Sequence, residues 1–158
     1  MKRLKQNGFT LIELILVIVM LAILAVATYT VINPQKRFKE NRNAQRRADV
    51  NAILNANYQY YVDNDGVIPS TIQENADCFS GATHTEICKS DIAGLTCTVA
   101  GYISLSDLTT NEKYLSAIPI DPTGESTYGT GYFVVKNVNS KLTVCAPSAE
   151  DTVISISR

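Results

Sequence analysis

FTLIELILVIVMLAILAVATYTVI, residues 9–32, is the stretch that decides how this chain is read. Its run LILVIVMLAILAVA fills positions 14 to 27, and Glu13 is its single charge. As a helix the stretch would be roughly 36 Å long at about 1.5 Å per residue. A bilayer core of about 30 Å needs only about 20 apolar residues, so one membrane span fits. A carboxylate at the edge of such a span costs several kcal/mol unless it finds a partner, which makes Glu13 a functional candidate.

Upstream lie Gly8 and three basic residues, Lys2, Arg3 and Lys5, with no acid among them. A secretory signal peptide places its small-residue cleavage site after the apolar core. Here the candidate Gly8 stands before that core. Ala25-Val26-Ala27 fits a conventional site only loosely, because Tyr29 to Ile32 continue the apolar character. The order of residues suggests a cut after Gly8, with Phe9 as the new N-terminus and Glu13 four residues on. Inside a bundle of apolar helices, an ammonium at Phe9 and a carboxylate at Glu13 are each expensive alone. Axial stagger between neighbours would pair them and fix register.

The string KQNGFTLIELILVIVMLAILA, residues 5–25, resembles the N-terminal signature of type IV pilins and of the pseudopilins of type II secretion systems. The resemblance implies a membrane aspartyl peptidase that cuts after Gly8 and methylates the amino group of Phe9. It also implies that Glu13 directs assembly by pairing with a neighbouring subunit's N-terminus. The expected partners are identical or related pilins, the prepilin peptidase and methylase, and an inner-membrane assembly platform. Members of the family commonly have glycine and proline at the positions of Ala22 and Thr30. This chain has neither, and a melted segment near Ala22 is not carried over.

Beyond the span, about 125 residues remain, enough for one small domain and too few for two. Residues 36 to 47 carry six basic groups against Glu40, and residues 62 to 157 carry four basic and twelve acidic groups. An acidic head argues against general nucleic-acid binding, while the basic collar leaves local contacts open. Asn33-Pro34 marks a kink or short loop, because interior proline removes a helix hydrogen bond. Residues 35 to 62 read as an amphipathic helix with a stripe of Ala44, Ala48, Ala52, Ala56 and Tyr60. Arg42, Arg46, Arg47 and Asp49 are placed on its more polar faces. Asp63-Asn64-Asp65-Gly66 ends that helix, and its likeness to half a calcium loop lacks the other EF-hand ligands.

Residues 67 to 100 read as loop-rich with short elements. A short helix is expected near Leu105 to Tyr114, capped by Ser106 or Thr109. Strands are expected at 130–137 and 140–147, joined by Val138-Asn139, and at 152–158. The fold class is therefore α+β, pilin-like: a long N-terminal helix with a small C-terminal antiparallel sheet head. The segments are a leader (1–8), a membrane or filament-core helix (9–32), an amphipathic stem helix (33–62) and a globular head (63–158). The sheet is expected to lie on the alanine stripe.

Cys78, Cys88, Cys97 and Cys145 all lie in the head, an even number without CxxC spacing. They suit two disulfides and an extracytoplasmic head better than a zinc site. Four cysteines allow three pairings, and Cys78–Cys88 with Cys97–Cys145 is the favoured one. His84 is the lone histidine, expected in an exposed loop, and no catalytic spacing accompanies it. An enzyme is not expected. Asp121 and Glu125 are weak calcium candidates in AIPIDPTGESTYGTGYFV, a stretch resembling a loop of major pseudopilins, some of which bind calcium there. Two carboxylates alone cannot complete six or seven oxygen ligands, so no cofactor is the leading expectation. The leading function is the structural subunit of a type IV pilus: a single-pass membrane precursor, then an extracellular filament. The alternatives are a pseudopilin of a type II secretion system, or a minor pilin that contacts DNA or a host surface.

Overall fold

A computed structural model of the chain describes residues 8–74, 78–79, 85–89, 97, 101–124 and 127–158. The chain divides into two units, Met1–Lys39 and Glu40–Arg158. Lys2, Arg3, Lys5, His84 and Glu125 lie outside the described residues.

In the first unit, α1 runs from Leu11 to Ile32. Thr10 caps it: its Oγ1 accepts the Glu13 N–H at 3.3 Å, and its carbonyl accepts that of Leu14. Thr10 and Glu13 have the spacing of a capping box, which sets the start of the helix. α1 passes through Ala22 without interruption, since no glycine or proline weakens it there. It ends at Asn33, whose left-handed φ of 43° breaks the helix in one residue. Pro34 then opens α2, Pro34–Asp63. Proline suits a first helical position because its missing N–H would have had no partner there. Asn33 meanwhile accepts the Lys36 N–H through both its carbonyl and its Oδ1.

In the second unit, α2 contributes its buried face to a four-stranded antiparallel sheet. The strands are β1 (Glu86–Cys88), β2 (Gly129–Lys136), β3 (Leu142–Ala146) and β4 (Ile154–Ser157), adjacent in that order. Tyr132 and Val134 of β2 join Leu142, Val144 and Ala146 of β3 in the main core. Val50, Ile53, Leu54 and Ala56 of α2 belong to the same cluster. Strand alternation sends Phe133, Val135 and Cys145 to the opposite face, where they gather with Cys78.

The alanine stripe is not the packing face. Ala44 and Ala48 are exposed, whereas Asn43, Arg46, Val50, Ile53, Leu54, Ala56 and Asn57 are buried. Steps of four residues slew by about 40° around a helix of 3.6 residues per turn. The stripe therefore reaches the buried face only near Ala56. Alternating steps of three and four, as in 43, 46, 50, 53 and 57, stay on one side. Arg46, expected on a polar face, is among the most completely buried side chains.

α2 ends as expected at Asp63, with Asp65 and Gly66 at positive φ and the Gly66 N–H on the Tyr61 carbonyl. The segment near Leu105 to Tyr114 is shorter and more broken than one helix. α3 covers only Ser106–Thr109, and a 3-10 turn, Thr110–Glu112, follows with Asn111 at φ 55°. Leu105 holds the N-cap position of α3 and Thr109 that of the 3-10 turn, neither with a side-chain bond, and Ser106 lies inside α3. Between β2 and β3, the Asn137 Oδ1 accepts the N–H groups of both Asn139 and Lys141 at 2.9 Å, so the turn is wider than Val138-Asn139.

Candidate functional site

Gly8, Phe9 and Glu13 belong to the first unit. Gly8 and Phe9 precede the first turn of α1 and are exposed. Glu13 sits in that first turn, where a carboxylate faces the positive end of the helix dipole. Phe9 is 83% exposed, and the side chains of α1 from Leu11 to Val31 are all exposed. α1 is long and apolar enough to cross a membrane. A helix apolar all round suits lipid or the interior of a bundle of its own kind.

The second unit holds a polar cluster that sequence reasoning missed. Arg46, on α2, donates from Nε to Asp121 Oδ2 at 2.7 Å and from Nη2 to Asp121 Oδ1 at 3.0 Å. Both residues are almost fully buried. Arg46 also donates from Nη1 to Asn43 Oδ1 at 3.0 Å and reaches Glu150 Oε2 at 3.3 Å. One turn earlier on α2, Arg42 forms a fork with Glu150, 2.6 Å on each arm. The Asn43 side chain completes the grip, exchanging hydrogen bonds with the Glu150 backbone at 2.6 and 3.0 Å. Charge-assisted, bidentate bonds of this kind are the strong and directional ones. They tie α2 to the loops before β2 and after β3.

The electrostatics follow from those contacts. Hydrogen bonding to Arg42, ahead of an opposing desolvation, holds the Glu150 carboxyl down at about 2. For Asp121, burial alone would push the carboxyl up, but Arg46 and Thr123 outweigh it and leave it lowered. The Tyr132 hydroxyl donates to Asp49 Oδ2 at 2.7 Å, and burial followed by that bond raises it far above the ordinary tyrosine value.

Asp121 is thus committed to a guanidinium. Its Oδ1 accepts from Arg46, from the Thr123 N–H and from the Thr123 hydroxyl, and its Oδ2 from Arg46 Nε. A positive charge at bonding distance is a poor neighbour for a dication. No group of three or more His, Cys, Asp or Glu able to hold a metal occurs among the described residues.

The cysteines pair as Cys78–Cys145 and Cys88–Cys97, replacing the favoured pairing of Cys78 with Cys88 and Cys97 with Cys145. The backbone explains it. The Lys136 N–H bonds the Gln73 carbonyl, and Glu74 bridges Lys136, so residues 73 and 74 lie beside the end of β2. Cys78 then joins Val135 and Cys145 on the outer face of the sheet. Ile103 exchanges hydrogen bonds with β1, accepting from the Cys88 N–H and donating to the Glu86 carbonyl. The Tyr102 N–H bonds the Cys97 carbonyl, which holds Cys97 close to the segment that pairs with β1 and Cys88. A long-range staple to β3 was expected; Cys78 supplies it rather than Cys97.

No curated protein and no solved structure matches the chain. A family model does match its N-terminus, over residues 3–29: the prokaryotic N-terminal methylation motif. The motif points to a structural subunit and implies a prepilin peptidase as processing partner. With the apolar α1, it fits a membrane-anchored precursor. Residues 3–29 thus carry the prepilin signature shared by type IV pilins and pseudopilins.

Proposed function

We propose that the chain is the structural subunit of a type IV pilus, made as a single-pass membrane precursor and polymerised into an extracellular filament through α1. In this reading residues 1–8 are a removed leader, 9–32 the membrane and filament-core helix, 33–62 the stem helix and 63–158 the head. Phe9 becomes the methylated N-terminus. The observation that carries the reading is α1 itself. Its apolar side chains are exposed all round over six turns, with one carboxylate in the first turn and the methylation motif covering its start.

The energetics favour assembly over solitude. Burying one Leu, Ile or Val side chain contributes about 1.5–3 kcal/mol, and α1 exposes more than ten of them. In the bilayer this area is already satisfied by lipid. Extraction into a filament therefore requires neighbouring α1 helices to replace that lipid. Apolar faces alone allow sliding. An ammonium at Phe9 of one subunit against Glu13 of the next would set the register, because neither charge is cheap alone among apolar helices. The filament-forming head needs no cofactor in this reading, which the guanidinium occupying Asp121 supports. That commitment, with two disulfides in the head, favours a pilin over a calcium-dependent pseudopilin.

The test compares Glu13→Ala with the unmodified chain. Subunit is measured in sheared surface fibres and in membranes. Glu13→Ala should insert normally, keep its head folded and fall sharply in the fibre fraction. Glu13→Asp should be milder, since its carboxylate reaches about one methylene less. Equal fibre fractions would remove Glu13 from assembly.

A further inference from the structure

A groove in the second unit is built from three places in the chain. Tyr58 and Tyr61 come from the last turns of α2, Asn139, Ser140 and Lys141 from the β2–β3 turn, and Arg158 from the end of β4. Ile68 and Leu142 complete the lining, and the space is about 270 Å³. The two tyrosine rings stack with centroids 6.3 Å apart at 22°, and both remain partly open to solvent. The Arg158 guanidinium lies 5.0 Å from the Tyr58 ring centre and donates to Asn55 Oδ1 at 3.2 Å. Its backbone exchanges hydrogen bonds with Leu142, and that of Lys141 with Asn137, so both cations rise from fixed bases.

The lining side chains include two cations and no carboxylate, in a chain whose residues 62 to 157 hold twelve acids against four bases. An acidic body with one basic, aromatic groove selects for a ligand that is anionic at one point only. A polyanion with a charge on every unit would be repelled by the surrounding surface. The volume falls below the roughly 300–1,000 Å³ of pockets that take drug-sized molecules, so one small ring is the natural occupant. Tyrosine faces carry negative quadrupole density that accepts the C–H face of a ring. A fork-shaped guanidinium and an ammonium suit one carboxylate. Asn139 and Ser140 sit at the rim, where hydroxyl groups would meet them.

We propose that this groove binds a carboxylated ring sugar, of the uronic-acid class, at the end or branch of a glycan. The carboxylate faces Lys141 and Arg158, and the ring stacks on the Tyr58–Tyr61 pair. This inference stands apart from the filament reading, since it uses only the second unit.

The test uses the full chain in detergent micelles and three probes: methyl α-D-galacturonide, methyl α-D-galactoside and a single-stranded oligothymidylate. Saturation-transfer NMR or calorimetry should show saturable binding of the galacturonide and at least about tenfold weaker binding of the neutral galactoside. Lys141→Glu should abolish that preference. Tyr58→Ala should weaken the galacturonide about tenfold or more, and Tyr58→Phe should restore it, which separates a lost ring from a disturbed fold. Equal binding of the two sugars would overturn the proposal, as would none. Tighter, Tyr58-dependent binding of the oligothymidylate would replace it with a nucleic-acid groove.

Discussion

Arg46 and Asp121 offer the sharpest test of how α2 is held to the head. In Asp121→Ala the guanidinium loses a bidentate partner in a site closed to water, and keeps Asn43 at 3.0 Å and Glu150 at 3.3 Å. Breaking a buried pair from one side costs about 3–5 kcal/mol, most of it the penalty of the stranded charge. The surviving contacts place the expected loss near the lower end, about 3 kcal/mol. For a unit of this size that corresponds to a melting shift of about 10–15 °C. Near-UV circular dichroism of the full chain in micelles reads it, because the disulfides and all tyrosines but Tyr29 lie beyond α1. Replacing both partners, Arg46→Met with Asp121→Ala, should recover much of the loss, since an apolar pair leaves no charge unpaired. The coupling energy of that cycle should reach at least about 2 kcal/mol. A shift under about 3 °C for Asp121→Ala, or a double variant equal to the sum of its parts, would refute the reasoning.

Four further outcomes follow from other contacts. Intact-mass measurement of fibre or membrane protein should show loss of residues 1–8, and Gly8→Lys should block that cut; mature filaments that retain Met1 would exclude it. Disulfide mapping should recover Cys78–Cys145 and Cys88–Cys97, and removal of the former should be the more destabilising, about 4 kcal/mol against roughly 2–3, because it closes the longer loop. Glu150 and Asp121 have lowered folded-state values, so the stability they contribute is present above the unfolded carboxylate range and is lost as pH falls through it toward about 2; an acid titration followed by circular dichroism should show a flat plateau above about pH 5, and Arg42→Gln should make the acid limb shallower. Gly131→Ala should destabilise the head by about 2 kcal/mol or more, since Gly131 has φ +82° and an added Cβ would meet Asp121 Cβ at 2.8 Å; an unchanged melting temperature would refute that strain.

What could be read from the sequence was whatever rests on local pattern. α1 declares itself by composition, its start by Thr10 and Glu13, its end by Asn33-Pro34, and α2's end by the Asp63–Gly66 turn. β2, β3 and β4 follow from alternation and turn residues, and with them the α+β class. β1 is only three residues long and too short to show a period. The face of α2 was misread because four apolar alanines outweighed one arginine, and a stripe defined by i, i+4 spacing was treated as if it did not rotate. A buried arginine announces itself only through its partners. Asp121 and Glu150 lie 75 and 104 residues away, and no periodicity links them to Arg46. Cysteine pairing failed for a related reason. The favoured pairing took Cys78 and Cys88 as neighbours because they are close in sequence. Cys78 instead packs on the outer face of the sheet, where Cys145 already points by strand parity. Register, rather than spacing, chooses the bond. The N-terminal site was legible for the opposite reason: Gly8, Phe9 and Glu13 act within one short segment, and the partners that give them meaning belong to other subunits.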